Sequence, residues 1–244
     1  MRIRPALLAA LVAAAPAAAQ ECDCYDDDYD YRERRPTGGY AGGARAIASA
    51  RGEFDRYVGG AVGGDLHYVH RLDRDGWLAV RIDGGLLVYG SETQRVPLSS
   101  TIGGRVLVDL TTSNNIAFVG IGPQIGVPDG RLRPYAHGHV GYSYIFTSSS
   151  VHGGWHHDPI AETTNYDDWT FSYGGGAGLF VPVRRGPSPV SLDLGVRYQN
   201  NGRASYLRPG DLVDNDDGTI TVHPVRSDTD LLTLRVGVSI GIAR

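Results

Sequence analysis

The chain has 244 residues, a formal net charge of −4, 34 glycines and 41% hydrophobic residues. Glycine and polar residues interrupt the apolar residues throughout. This excludes a polytopic helical membrane protein, which needs several runs of about 20 apolar residues. The mildly acidic balance argues against a nucleic-acid-binding protein, and two cysteines are too few for a disulfide scaffold.

Residues 1–19 have the pattern of a secretory signal peptide. Arg2 and Arg4 form a positive start, residues 6–15 are apolar, and Ala17-Ala18-Ala19 is a small-residue cleavage site. Signal peptides with these three parts direct export and are removed afterwards. We therefore expect the mature protein to lie outside the cytoplasm.

Residues 20–50 are rich in Asp, Tyr and Gly, and we interpret them as a flexible, acidic N-terminal segment. Cys22 and Cys24 lie within it, separated by one residue. A disulfide between them would be strained, and two thiols alone are too few ligands for a metal site. The composition predicts one further domain, a β-barrel over residues 51–244.

From Phe54 onward the dominant hydrophobic period is two, which is typical of strands with one apolar face. Alternate residues of the last strand, from Leu232 to Ile242, are aliphatic, and the residues between them are polar or small. Eight such segments are predicted, at 55–69, 77–90, 102–111, 116–127, 134–147, 169–183, 189–199 and 230–242. The predicted fold is all-β: an eight-stranded antiparallel up-and-down transmembrane β-barrel, since each segment is long enough for a tilted bilayer crossing.

The connections between the later segments alternate in length. Residues 128–133 and 184–188 are short, whereas 148–168 and 200–229 are long. The alternation weakens earlier, because the predicted connection 112–115 is also short. Short turns at one end and long loops at the other are typical of outer-membrane barrels.

Alternation leaves open which face meets water, and a soluble lipocalin-like barrel would place the aliphatic face inside. Aromatic residues near the ends of the strands favour lipid outside, since such residues form girdles at membrane interfaces. The predicted girdle consists of Tyr142, Tyr144, Phe146, Trp169, Phe171, Tyr173 and Tyr198.

The opposite faces carry equal numbers of acids and arginines, the balance expected where charges share a narrow lumen. The predicted lumen network consists of Asp65, Arg81, Asp83, Arg105, Asp109, Asp193, Arg197 and Arg235. Many glycines share these faces, and small residues suit the crowded interior of an eight-stranded barrel.

Two segments carry a family resemblance: Arg133-Pro134-Tyr135 leading to Gly141-Tyr142, and the run from Leu192 to Tyr198. They resemble strands of the small outer-membrane β-barrel superfamily, which includes the OmpA transmembrane domain, OmpX, OmpW and the opacity-type surface antigens. The resemblance implies a Gram-negative-type outer membrane and no cofactor. It also implies contact with outer-membrane lipid and lipopolysaccharide, insertion by the barrel-insertion machinery, a monomer, and no nucleic-acid partner. Many members end in an aromatic residue, whereas this chain ends in Ile242-Ala243-Arg244, which weakens the expected insertion signal.

Three further clusters suggest chemistry. His152, His156, His157 and Asp158 could bind a transition metal, although their spacing fits no standard zinc pattern. His137 and His139 share a strand face and are predicted to point inward, where a lumen acid could pair with them. The acids between Asp211 and Asp217 fit a capped turn better than a calcium loop.

Residues 197–202 loosely resemble the strand-end motif of lipid A deacylases, which raises an enzymatic interpretation. Tyr198 replaces the histidine of that motif and Asn200 replaces its serine, so acyl transfer lacks both base and nucleophile. We therefore expect a structural or surface-exposed role without catalysis. The alternatives are a narrow pore or small-hydrophobe transport barrel, and a soluble binding barrel.

Overall fold

The computed structural model describes residues 37–97, 107–152, 161–186, 188–215 and 219–243. The signal peptide, Cys22 and Cys24 therefore lie outside the described residues, and these predictions stay untested. Within the described ranges, no helix is long and apolar enough to cross a membrane.

Eight of the described strands form a closed antiparallel barrel. Their bounds are β1 Thr37–Ala50, β2 Gly60–Arg71, β3 Leu78–Pro97, β4 Leu107–Gly126, β5 Arg133–His152, β6 Ala161–Arg184, β7 Val190–Asn201 and β12 Leu231–Ala243. Around the barrel the strands follow the order β1-β12-β7-β6-β5-β4-β3-β2, and this up-and-down order confirms the predicted fold class.

Short elements occupy two of the connections. A 3-10 helix, Phe54–Arg56, follows β1. The connection from β7 to β12 contains β8 Arg203–Tyr206, β9 Leu212–Asp214, β10 Ile220–Val222 and β11 Val225–Asp228. Here β8 pairs with β11 and β9 pairs with β10, so this long connection is itself ordered into two small hairpin-like ladders.

The barrel begins earlier than the sequence pattern indicated. Residues 37–50 were predicted to belong to a flexible segment, but they form β1, which pairs with β12 on one side and β2 on the other. The prediction was wrong because Gly and Ala dominate this stretch and give little hydrophobic signal. Their small side chains suit the interior: Ala46, Ala48 and Ala50 are buried where the lumen is crowded.

The predicted third and fourth segments, 102–111 and 116–127, are also corrected. The described part of both is a single strand, β4. Polar residues 111–115 resemble a turn in sequence, yet they continue the ladder with β3 and β5, where Thr112 lies opposite Glu92 and Ser149. The total remains eight strands, because β1 adds one strand and the joining of two predicted segments in β4 removes one.

With these strand bounds the connections between consecutive barrel strands alternate in length, shorter at one end and longer at the other. Residues 72–77, 127–132 and 185–189 connect strands at one end of the barrel, hereafter the short-turn end. Residues 51–59, 98–106, 153–160 and 202–230 connect them at the other, hereafter the long-connection end. The early irregularity in the predicted pattern came from the division of β4.

Aliphatic side chains cover the outside of the barrel. On β12, Leu234, Val236 and Ile240 are 55%, 56% and 48% exposed, whereas Thr233 and Arg235 are buried inside. A soluble barrel would require the opposite arrangement, so the lipocalin-like alternative is wrong. Arg45 breaks this outer surface, since it is exposed beside Val236 at the middle of the aliphatic run.

Candidate functional site

The middle of the lumen is filled by a network of buried charges around Arg235. Its Nη2 donates to Asp65 Oδ1 at 2.7 Å and lies 3.5 Å from Asp193 Oδ2, while its Nη1 lies 3.7 Å from Asp83 Oδ1. Arg81 donates to Asp83 through Nε and Nη2, each at 2.9 Å. One guanidinium thus joins carboxylates from three strands across the barrel.

Polar side chains around the network satisfy further groups. Tyr135 Oη donates to Asp193 at 2.6 Å. His67 lies 3.0 Å from Arg235 and 3.2 Å from the Ser239 hydroxyl. Because buried charges are stable only when paired and hydrogen-bonded, this network fixes the positions of the strands that supply it.

A second layer closes the short-turn end. Arg71 and Arg133 both donate to the Tyr40 hydroxyl, at 2.6 and 3.1 Å. The Tyr40 ring stacks on Phe180 with centroids 5.9 Å apart, and Phe180 stacks on Tyr135. A cavity of about 30 Å³, enough for about one water, lies between these side chains.

A third layer, apolar, closes the lumen toward the long-connection end. Phe54, Tyr89 and Tyr206 contact one another edge to face, with centroids 5.1 to 6.2 Å apart. Tyr89 Oη donates to the backbone oxygen of Leu207 at 3.0 Å. The connection between β7 and β12 therefore folds back into the mouth of the barrel and seals it.

Beyond the apolar layer, β3 to β6 extend as a wall, since they have 20 to 24 residues where β2 and β7 have 12. A cavity of about 220 Å³ lies between the inner face of this wall and the loop around Arg208. We call it the vestibule; it is lined by Glu92, Gln94, Leu110, Thr112, Asn114, Thr147, Ser149, Thr163, Asn165, Arg208, Pro209, Gly210 and Leu212.

Arg208 is held in place on the loop side of the vestibule. Its Nε and Nη2 donate to the two carboxylate oxygens of Asp211, each at 2.9 Å, and its backbone N–H also donates to Asp211. Although partial burial acts in the opposite direction, these hydrogen bonds hold the pKa of Asp211 below its usual value. Asp211 therefore stabilises an ion pair and a turn, which agrees with the capped turn expected at this residue.

The structure places most of the predicted network residues inside the barrel. Those buried in the lumen are Asp65, Arg81, Asp83, Asp193, Arg197 and Arg235. Arg197 differs from the others, since its guanidinium lies 4.1 Å over the Phe118 ring and forms no ion pair with a described residue.

Asp109 does not belong to the network, and its prediction is wrong. It lies on the wall beyond the lumen and pairs with Arg95 at 3.1 Å, with side chains 46% and 76% exposed. Residues 102–111 and 116–127 were treated as separate strands, but in the continuous β4 the lumen-facing residues are even-numbered, such as Phe118 and Gln124, so Asp109 lies on the opposite face. Arg105 lies outside the described residues.

The predicted aromatic girdle lies on the outer surface near the long-connection end. Trp169 is 61% exposed and Phe171 51%, and they contact Tyr144 and Tyr142 on the neighbouring strand. Tyr173 and Tyr198 are also exposed, whereas Tyr144 and Phe146 are partly covered. Their contact with a membrane interface stays a prediction.

The predicted histidine sites have different outcomes. His156, His157 and Asp158, with the side chain of His152, lie outside the described part of the structure, and the described residues contain no group of three or more potential ligands. His137 and His139 point inward and are buried, but neither forms a hydrogen bond with a described residue. The histidine beside Asp193 is instead His67, at 3.8 Å.

Sequence reasoning missed His67, Tyr135 and the tyrosines of the apolar layer. His67 and Tyr135 follow the same alternation as Asp65 and His137, so the strand period alone could have identified them. Tyr89 and Tyr206 had no such signal. Tyr89 lies at a β-bulge, and Tyr206 belongs to the 202–230 connection, outside the barrel strands whose period was used.

The fold and the charged lumen define an outer-membrane β-barrel. A family model for the outer membrane protein beta-barrel domain matches residues 6–223, and the chain belongs to this family. The protein therefore resides in the outer membrane of a Gram-negative-type envelope. No curated protein sequence matches the chain at a significant level.

Several solved structures share the fold. Neisserial surface protein A is 15% identical over 84% of this chain and 97% of its own, with a TM-score of 0.45. Ail, the attachment invasion locus protein of Yersinia pestis, is 15% identical over 83% and 97%, with a TM-score of 0.38. A major outer membrane protein from Thermus thermophilus is 16% identical over 82% and 98%, with a TM-score of 0.40.

Proposed function

We propose that this protein is a non-conducting outer-membrane barrel that stabilises the envelope and presents its long-connection end at the cell surface. The observation that carries the proposal is the closure of the lumen by three successive layers. Short turns face the periplasm in outer-membrane barrels, so the long-connection end faces outward. The ordered 202–230 connection is then the main surface available to partners.

The central layer is the strongest barrier to solute flow. Arg235 is 2% exposed and Asp193 is fully buried. Together with Asp65 and Asp83, they join opposite sides of the barrel through ion pairs of 2.7 to 3.7 Å. Opening a pore would require breaking several buried ion pairs, and leaving one such charge unpaired costs about 3–5 kcal/mol.

The role in the envelope involves lipid contacts and no chemistry. The aliphatic outer face packs against outer-membrane lipid, including lipopolysaccharide in the outer leaflet, and the barrel acts as a monomer. Insertion relies on β12, whose outer face is aliphatic up to Ile242. Catalysis by the deacylase route is not part of the role, because Tyr198 and Asn200 occupy the positions of the base and the nucleophile.

Conductance across a planar lipid bilayer tests the proposal. The protein is first shown to be folded by its faster migration on a gel without boiling, and is then inserted into the bilayer. We expect no steady single-channel current. A steady current that changes in Asp193→Ala, but not in Leu194→Ala on the outer face of the same strand, would overturn the proposal and support the pore alternative.

A further inference from the structure

The residue types on the inner face of the wall change between the apolar layer and the long-connection end. Below this layer the lumen contains charges and glycines, whereas a row of residues across four strands lines the vestibule. In this row Glu92 lies opposite Thr112, Thr112 opposite Ser149, and Ser149 opposite Thr163. Adjacent strands lie about 4.8 Å apart, so the row presents hydrogen-bonding groups at regular intervals.

Two β-bulges build this face. On β3, Val88 lies opposite Asn115 and Gly90 opposite Asn114, which leaves Tyr89 as the extra residue. Below the bulge the odd-numbered Arg81 and Asp83 are the residues buried in the lumen, and above it the even-numbered Glu92 and Gln94 line the vestibule. Bulges re-aim side chains and occur preferentially beside functional sites.

The second bulge lies on β6, across the vestibule. Thr147 lies opposite Tyr166 and Ser148 opposite Thr164, so Asn165 is the extra residue. Its amide donates to the Ser149 hydroxyl at 2.6 Å, and Ser149 in turn bonds with Thr112 at 2.9 Å. The bulge therefore directs an amide into a hydroxyl row that already crosses two other strands.

The size and charge of the vestibule restrict its ligand. About 220 Å³ accommodates a single sugar ring and is below the roughly 300–1,000 Å³ of sites for drug-sized molecules. Among the described lining residues, the cation Arg208 is paired with Asp211 and the acid Glu92 accepts a hydrogen bond from Gln94. Hydroxyl and amide groups both donate and accept, as sugar hydroxyls do, while Pro209 and Leu212 offer apolar surface to ring C–H groups.

We propose that the vestibule binds a single neutral sugar residue. This inference rests on the proposed surface role, because the ligand must reach the long-connection end from outside. Asn165, Ser149 and Thr112 supply the hydrogen bonds to the sugar hydroxyls. The paired state of Arg208 disfavours sulfated and carboxylated sugars.

Saturation-transfer NMR on the folded barrel in a phosphocholine detergent tests the inference. The probes are free glucose, galactose, mannose and N-acetylglucosamine, with galacturonic acid and N-acetylglucosamine 6-sulfate as charged counterparts. Asn165→Leu removes the amide and fills space in the vestibule, whereas Thr164→Leu changes the adjacent exposed residue, which does not line it. If Asn165→Leu does not fold, as judged by gel migration, Thr112→Val takes its place.

We expect at least one neutral sugar to bind the wild type and Thr164→Leu, with affinity weakened about tenfold in Asn165→Leu or Thr112→Val. Absence of signal from all four neutral sugars, equal binding to the vestibule variant, or binding of the charged sugars alone would overturn the inference. Conductance measured on the same preparation separates the two proposals. A silent barrel without sugar binding refutes only the inference, whereas a conducting barrel refutes the proposed non-conducting role, whichever sugars bind.

Discussion

Strands β3 to β6 line both the lumen and the vestibule, yet the two regions differ in exposure, charge and pairing. Arg81 and Asp83 on β3 are buried and ion-paired, whereas Glu92 and Gln94 on the same strand are exposed. The bulge at Tyr89 separates the two regions. One strand can thus contribute to a sealed, stabilising core and to an open surface, and on β3 an extra residue changes which side chains face inward.

The difference shows where stability and recognition reside in this barrel. Charges in the sealed part hold one another and leave little room for a ligand. The neutral side chains of the vestibule bond among themselves more sparsely and leave a cavity. We therefore expect substitutions in the lumen to affect folding and substitutions in the vestibule to affect binding.

The largest effect is expected for Arg235→Met. It leaves Asp65, Asp83 and Asp193 without their shared cation, and breaking a buried ion pair costs about 3–5 kcal/mol. The urea midpoint of unfolding in lipid vesicles measures the loss. As a control, Arg203→Met removes an exposed cation near Glu53, worth about 0–1 kcal/mol. Equal losses in the two variants would show that the lumen network is not the stabilising core.

A charge on the outer face should be the next most costly change. Val236→Arg places a cation within the aliphatic run of β12, and an arginine on the lipid face costs about 2–4 kcal/mol near the bilayer midplane. The same unfolding assay in vesicles measures the effect. Val222→Arg, on β10 outside the barrel strands, should be nearly neutral.

Arg45 supplies the reverse of this experiment. It is exposed beside Val236, so Arg45→Leu should raise the free energy of unfolding in vesicles. If Arg45→Leu destabilises the barrel, or if Val236→Arg is tolerated, the outer face of β1 and β12 does not contact lipid.

Packing within the lumen gives a smaller effect. A Cβ at Gly176 would lie 2.5 Å from the Val196 carbonyl oxygen and 2.6 Å from His137 Cε1. Gly176→Ala should therefore cost about 1–3 kcal/mol through overpacking. Gly120 also faces the lumen, but its nearest neighbour would be 3.5 Å away, so Gly120→Ala should lose less stability in the same urea titration. The reverse order would contradict the packing of the glycine rows.

The smallest effect concerns the Arg208–Asp211 pair beside the vestibule. The pKa of Asp211 is lower in the folded protein than in the unfolded chain. Its ionised carboxylate therefore stabilises the loop fully above the unfolded pKa, about 3.9, and this stabilisation is lost as the pH falls through the folded pKa. Hydrogen exchange of the 208–212 backbone should therefore be unchanged from pH 7 to 5 and accelerate below about pH 4, after correction for intrinsic rates. In Asp211→Asn this additional acceleration should be absent.

Much of the barrel could be predicted because a strand with lipid on one side has a strict period of two. That period identified Asp65, Asp193 and Arg235 as inward-facing residues. It did not identify β1, because most residues of β1 are glycine or alanine and alternate positions therefore differ little in hydrophobicity. It also divided β4, because residues 111–115 are polar on both faces where the strand rises beyond the aliphatic surface.

The vestibule also could not be predicted from the sequence, and the cause is different. A bulge changes the register by one residue, and nothing in the sequence around Tyr89 or Asn165 marks that position. Asp109 was assigned to the lumen because residues 102–111 were treated as a separate strand, whereas the continuous β4 places its even-numbered residues inside. The loop residues around Arg208 join the site only through the tertiary fold.

The division of the barrel into a sealed lumen and an open vestibule can be measured directly with two cysteines on β5. Ser143 is fully buried, and Ser149 lines the vestibule on the same strand. In a chain carrying Cys22→Ser and Cys24→Ser, each is replaced by cysteine, and the folded barrel is treated with a membrane-impermeant thiol reagent. We predict rapid labelling of Ser149→Cys and none of Ser143→Cys until the barrel is unfolded. Equal labelling of both in the folded barrel would contradict the sealed lumen.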